Sequence, residues 1–112
     1  MLTLPIKKKW YDMILSGEKK EEYREIKPYY TERFNKKVML FDHFLTKDEE
    51  DYLILPINYD KTDILFRNGY GNDKPTIKCK VRIACGTGRP EWGAEPNKKY
   101  YVLKILSVEE VK

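Results

Sequence analysis

The chain has 112 residues, 41% of them hydrophobic and 36% charged, with a formal net charge of +4. That length accommodates one hydrophobic core and not two, so a single domain over residues 1–112 is expected. No apolar run approaches the ~20 residues a membrane helix needs, and "MLTLPIKKKW" has too short an apolar stretch for a secretory leader. A cytoplasmic protein with no membrane partner is therefore expected.

In chain order, "LTLPI" is a short apolar segment closed by Pro5. Trp10, Met13 and Ile14 follow at i, i+3, i+4 and predict a helix, with Gly17 placed for a left-handed C-terminal cap. "KPYYTERF" predicts a second short helix, because Pro28 suits a first turn. "VMLF" is a buried-strand candidate and "TKDEEDY" an exposed acidic loop, while "DILFRNGYGN" predicts a strand running into an Asn-Gly turn. The clearest strand is "IKCKVRIAC", where Ile77, Cys79, Val81, Ile83 and Cys85 alternate with Lys78, Lys80, Arg82 and Ala84. A Gly-rich stretch, "GTGRPEWGAEP", leads to a last extended segment, "KYYVLKILSV". The pattern predicts an α+β fold with a small curled sheet or barrel of about five or six strands and two or more helices.

Cys79 and Cys85 lie six apart in one strand, hence roughly 20 Å apart at about 3.3 Å per residue, which is beyond disulfide reach. They are expected as reduced core thiols. His43 is the one histidine, and zinc-site and Ser-His-Asp spacings are missing, so no metal or cofactor is expected. The charge is uneven: the excess is +4 over residues 1–37, −5 over 42–63 and +6 over 64–104. Two basic segments around an acidic one suggest a polarised surface suited to a polyanion.

"SGEKKEEYRE" packs seven formal charges into ten residues. As a helix its i, i+4 pairs would be Glu18 with Glu22, Lys20 with Arg24 and Glu21 with Glu25, all like-charged. A strand is predicted instead, with Lys20, Glu22 and Arg24 alternating in sign on one face and Tyr23 on the other. By spacing alone this is a surface ion-pair ladder worth ~0–1 kcal/mol per pair.

Gly17, Lys19, Glu22 and Arg24 resemble the G-x-K-x-x-E-x-R signature of ASCH domains, small PUA-like proteins related to the activating signal cointegrator. The lead-in "LPIKKKWYDMILSG" is also similar to that family, and the strongest resemblance covers about residues 2–30. The later strands look like those of bacterial and phage-type members. The resemblance implies a PUA-like β-barrel flanked by helices, a cationic cleft at the signature residues, and a role in binding RNA or a nucleotide. Some members hydrolyse RNA, and one group deacylates an acetylated cytidine with a Lys, a Thr and a Glu. Carried over by position, that Lys matches Lys19, but Glu22 stands where the Thr would be, and a carboxylate cannot replace an activated hydroxyl in acyl transfer. Glu91 is the candidate for the third residue.

Two function classes follow. In the favoured one, a module for RNA, other single-stranded nucleic acid or a nucleotide, Lys19, Glu22 and Arg24 recognise a base, and Lys78, Lys80 and Arg82 meet phosphates. Trp92, in a loop with Gly86, Gly88, Pro90 and Arg89, is either a stacking platform for that base or the loop's own small core. In the other, a small hydrolase uses Glu22 or Glu91 as general base and Lys19 or Arg24 to stabilise anionic charge.

Overall fold

The computed structural model describes residues 2–37, 61–71 and 73–111. Chain order is β1 (Thr3–Ile6), α1 (Lys8–Ser16), β2 (Glu21–Glu25), α2 (Pro28–Lys37), β3 (Thr62–Asn68), β4 (Thr76–Thr87), a 3-10 turn (Pro90–Trp92) and β5 (Lys99–Val111). The strands form one curled mixed sheet, a half-barrel, in the order β1-β3-β4-β5-β2. β1 pairs parallel to β3, and the other neighbours are antiparallel. This is the α+β curled-sheet architecture that the sequence pattern predicts, with five strands among the described residues. "VMLF", "TKDEEDY" and His43 lie outside the described residues.

Alternation decides which way β4 faces. Ile77, Cys79, Val81, Ile83 and Cys85 are buried, and with Ile64, Phe66 and Leu103 they form the sheet's contribution to the core. Tyr11 and Ile14 of α1 and Phe34 of α2 close that core. Between Lys80 and Val81 the register with β5 slips by one residue, Lys80 facing Ser107 and Val81 facing Ile105, so Leu106 has no partner opposite. Such a bulge bends the strand pair and increases local twist.

α1 ends where Gly17 takes φ 87° and donates its backbone N–H to the Ile14 carbonyl at 3.1 Å, the left-handed cap predicted from the sequence. β3 runs through Asn68, Gly69 follows at φ 88°, and the Asn68 N–H bonds the Pro75 carbonyl at 2.9 Å.

A second small cluster of Ala94, Tyr100, Val102 and Tyr23 covers the sheet's other face beneath the β4–β5 loop. Gly88 is required there, since a Cβ would come within 2.6 Å of the Tyr23 ring and 2.7 Å of the Ala94 Cβ.

Both thiols are unbridged and buried, and desolvation pushes each from 9.0 up to about 12. A thiol whose folded pKa is raised stays neutral after its unfolded counterpart has ionised, so this contribution to stability is present below pH 9 and lost as pH rises from 9 towards 12. Ellman's reagent should label neither Cys79 nor Cys85 in the native protein at pH 8, and both once guanidinium passes the unfolding midpoint.

Candidate functional site

The short connection from α1 to β2 sets the site. Gly17 turns the chain, the Lys19 N–H bonds the Met13 carbonyl at 2.9 Å, and β2 begins two residues later. Lys19 is thereby directed inward and is 1% exposed. Its ammonium donates to the Trp92 carbonyl, lies 3.2 Å from Glu22 Oε1, and sits 4.6 Å above the Trp10 ring and 5.1 Å from the Tyr23 ring. Burial lowers the Lys19 pKa from its ordinary value, and the charge and hydrogen bond of Glu22 oppose that shift.

Glu22 is 6% exposed and bridges two cations. Its Oε2 accepts from Arg24 Nη2 at 2.7 Å while Oε1 faces Lys19. Arg24 Nη2 also donates to the Pro5 carbonyl at 3.0 Å, and Nη1 donates to the Tyr30 hydroxyl at 3.3 Å. Arg24 Nε is buried and has no hydrogen-bond partner among the described residues. Of the ladder Lys20, Glu22 and Arg24 expected from spacing, Glu22 and Arg24 share the inner side of β2, while Lys20 is exposed just before the strand and Lys19 takes the place of the second cation. The setting is a desolvated one in which each ion depends on its neighbours.

Above the triad opens a cleft of about 610 Å³. Pro5, Ile6, Lys7 and Trp10 form one wall, Glu22 to Glu25 the floor, and Tyr30, Tyr70, Glu95, Lys98 and Tyr100 the remaining rim. Among the described residues five aromatic rings line it, and its charged side chains are three cations, Lys7, Arg24 and Lys98, against three carboxylates, Glu22, Glu25 and Glu95. Lys98 lies 3.4 Å from Glu95, so most of this charge is neutralised internally. Among the described residues the lining is aromatic and balanced in charge. Tyr70 is 83% exposed at the mouth, between Gly69 and Gly71, both at positive φ. Gly93 stands at φ 102°, where a Cβ would meet the Trp10 ring at 3.0 Å, so the wall closes only around glycine.

No family model matches the chain, and neither a curated protein nor a solved structure does so.

Lys19, Glu22 and Arg24 come together at this site, and Trp92 joins them through its backbone carbonyl. The Trp92 ring is not among the lining residues; Arg89 lies over it at 4.9 Å. Glu91 is 61% exposed, pairs with Arg89 at 3.7 Å and does not line the cleft. Lys78, Lys80 and Arg82 lie on the outer face of β4 and do not line the cleft; Lys78 pairs with Glu109 at 3.6 Å and Lys80 with Asp63 at 3.4 Å. Sequence reasoning missed Trp10, Tyr30, Tyr70 and Tyr100 as lining residues. The signal was present in an unusual tyrosine content, nine in 112, with Tyr30 and Tyr100 each in a Tyr-Tyr pair beside basic residues.

Removing one member of a buried ionic network leaves another uncompensated, which typically costs about 3–5 kcal/mol. Lys19→Ala and Glu22→Ala should each lower stability by about that amount in chemical denaturation, whereas Glu91→Ala, at an exposed pair, should shift it by less than about 1 kcal/mol.

Proposed function

We propose that the cleft holds an unstacked nucleobase, and that the protein is an RNA- or nucleotide-binding module of the ASCH, PUA-like type suggested by its Gly17, Lys19, Glu22 and Arg24 signature. The observation that carries this reading is the cleft floor: a guanidinium fixed by Glu22, the Pro5 carbonyl and Tyr30, beneath walls of aromatic rings. Every base has a π face, so Trp10, Tyr30 and Tyr70 offer stacking without a requirement for phosphate charge. Glu25 and Glu95 supply acceptors for exocyclic amines, and Lys7 and Lys98 at the rim supply donors for ring carbonyls. The volume suits one nucleotide rather than a duplex.

A hydrolase is favoured by one observation only. Lys19 is a buried amine of lowered pKa beside a carboxylate, the environment that makes lysine a base or nucleophile. Its ammonium is nevertheless committed to Glu22 and the Trp92 carbonyl and enclosed by two rings, with no side-chain atom lining the cleft. Binding is therefore the stronger reading. An RNA oligomer that stays intact by mass spectrometry after long incubation with the protein agrees with it, and accumulation of discrete fragments supports the hydrolase.

Trp10 lines the cleft and Trp92 does not, so a Trp92→Phe variant isolates the reporting indole while keeping the carbonyl that holds Lys19. Titration of this variant with UMP or AMP should quench its fluorescence, and a spectrum unchanged at millimolar nucleotide would sink the assignment. Tyr70→Ala should weaken the nucleotide about tenfold, within the ~1–3 kcal/mol typical of a base–aromatic stack, with the thermal midpoint unchanged because the ring is exposed.

A further inference from the structure

The outer face of the sheet pairs Arg82 of β4 directly with Lys104 of β5. Residues directly opposite in an antiparallel pair have Cβ atoms about 4.5–5.5 Å apart on one face, and like charges placed so are destabilising. Both are exposed, and among the described residues neither has a carboxylate within 4.0 Å. Their neighbours on the same face are treated differently: Lys80 is answered by Asp63, and Lys78 by Glu109. Glu21 stands opposite Lys104 on β2, but its carboxylate accepts the Tyr23 hydroxyl at 2.7 Å. The fold thus sets two cations side by side with one facing carboxylate, Glu21, and forms no ion pair within 4.0 Å to either cation among the described residues.

The row lies close to the cleft. Tyr23, which lines it, is two residues along β2 from Glu21 on the same face, a step of roughly 7 Å, and Glu21 stands opposite Lys104. We infer that Arg82 and Lys104 form a phosphate clamp for the nucleotides flanking the base held in the cleft, so that the partner is a single-stranded nucleic acid rather than a free nucleotide. The inference rests on the cleft reading for its second half only. The clamp itself stands on the cross-strand pairing. Arg82 supplies a planar fork for a phosphodiester, Lys104 a point charge beside it, and occupation by phosphate removes the repulsion that the free protein carries. Lys78 and Lys80, already paired, contribute less.

The test compares the intact protein with the double variant Arg82→Gln, Lys104→Gln, using a fluorescein-labelled oligouridylate and UMP as probes across a salt series. The thermal midpoint of the variant should be equal or higher, since the substitutions relieve like-charge repulsion. The slope of log affinity for the oligomer against log salt should fall by about 1.4, at ~0.7 for each single-strand phosphate that the variant no longer neutralises, and UMP affinity should not change. An unchanged slope for the oligomer overturns the clamp while UMP binding keeps the cleft reading. A reduced slope in the variant with no UMP binding by either protein keeps the clamp and discards the cleft reading. Equal weakening of oligomer and UMP overturns the clamp as a separate site. Polyglutamate binding as tightly as the RNA, with the same fall in slope, overturns its assignment to a phosphodiester backbone.

Discussion

The structure turns on one expensive arrangement, the burial of Lys19, Glu22 and Arg24 as a shared ionic network. Removing such ions from water costs several kcal/mol each after relaxation, and Coulombic attraction offsets this only when other partners fill the remaining hydrogen-bonding capacity. Those partners come from the whole near end of the molecule: the Pro5 carbonyl of β1, the Trp10 ring of α1, Tyr30 of α2 and the Trp92 carbonyl of the 3-10 turn. None of these elements reaches its place independently of the others. The cleft exists because the network draws two helices, two strands and a loop to one point, and its walls are what remains around that point.

Backbone chemistry keeps the network satisfiable. The left-handed Gly17 brings Lys19 round from the end of α1, and Gly93 at φ 102° lets the 3-10 turn approach Trp10 closely enough to present the preceding carbonyl to the ammonium. Gly88 performs the same service for Tyr23, whose hydroxyl accepts the Arg89 N–H at 2.9 Å and donates to Glu21 at 2.7 Å. The β4–β5 loop is accordingly a structural clamp as well as a wall. That explains why Trp92, which its loop composition suggests as a stacking platform, contributes its peptide group and leaves the cleft wall to Trp10.

What the sequence made legible was local. Period-two alternation from Ile77 to Cys85 gave β4 its facing, Gly17 marked the end of α1, and Pro28 the start of α2. The charge spacing correctly placed Glu22 and Arg24 on one side of a strand with Tyr23 on the other. It could not show that Glu22 lies inward, because a charged side chain reads as solvated unless its partners are known, and the decisive acceptor for Lys19 is 73 residues away. The cleft's rim was hidden for the same reason, since Tyr70 and Tyr100 reach it only through strand pairing.

The long-range pairing also redistributes the charge pattern visible in sequence. Basic segments at either end of the chain suggested one cationic surface, but folding sets Asp63, from the acidic segment, against Lys80, and Glu109, from the tail, against Lys78. The cleft balances its own ions through Glu22, Glu25 and Glu95. Among the described residues facing outward along β4 and β5, the cations without an ion pair within 4.0 Å are Arg82 and Lys104, which stand opposite each other with Glu21 facing Lys104 from β2. A net charge distributes as the register dictates. Here register separates a charge-balanced aromatic pocket from a small exposed cationic pair whose field weakens as salt rises.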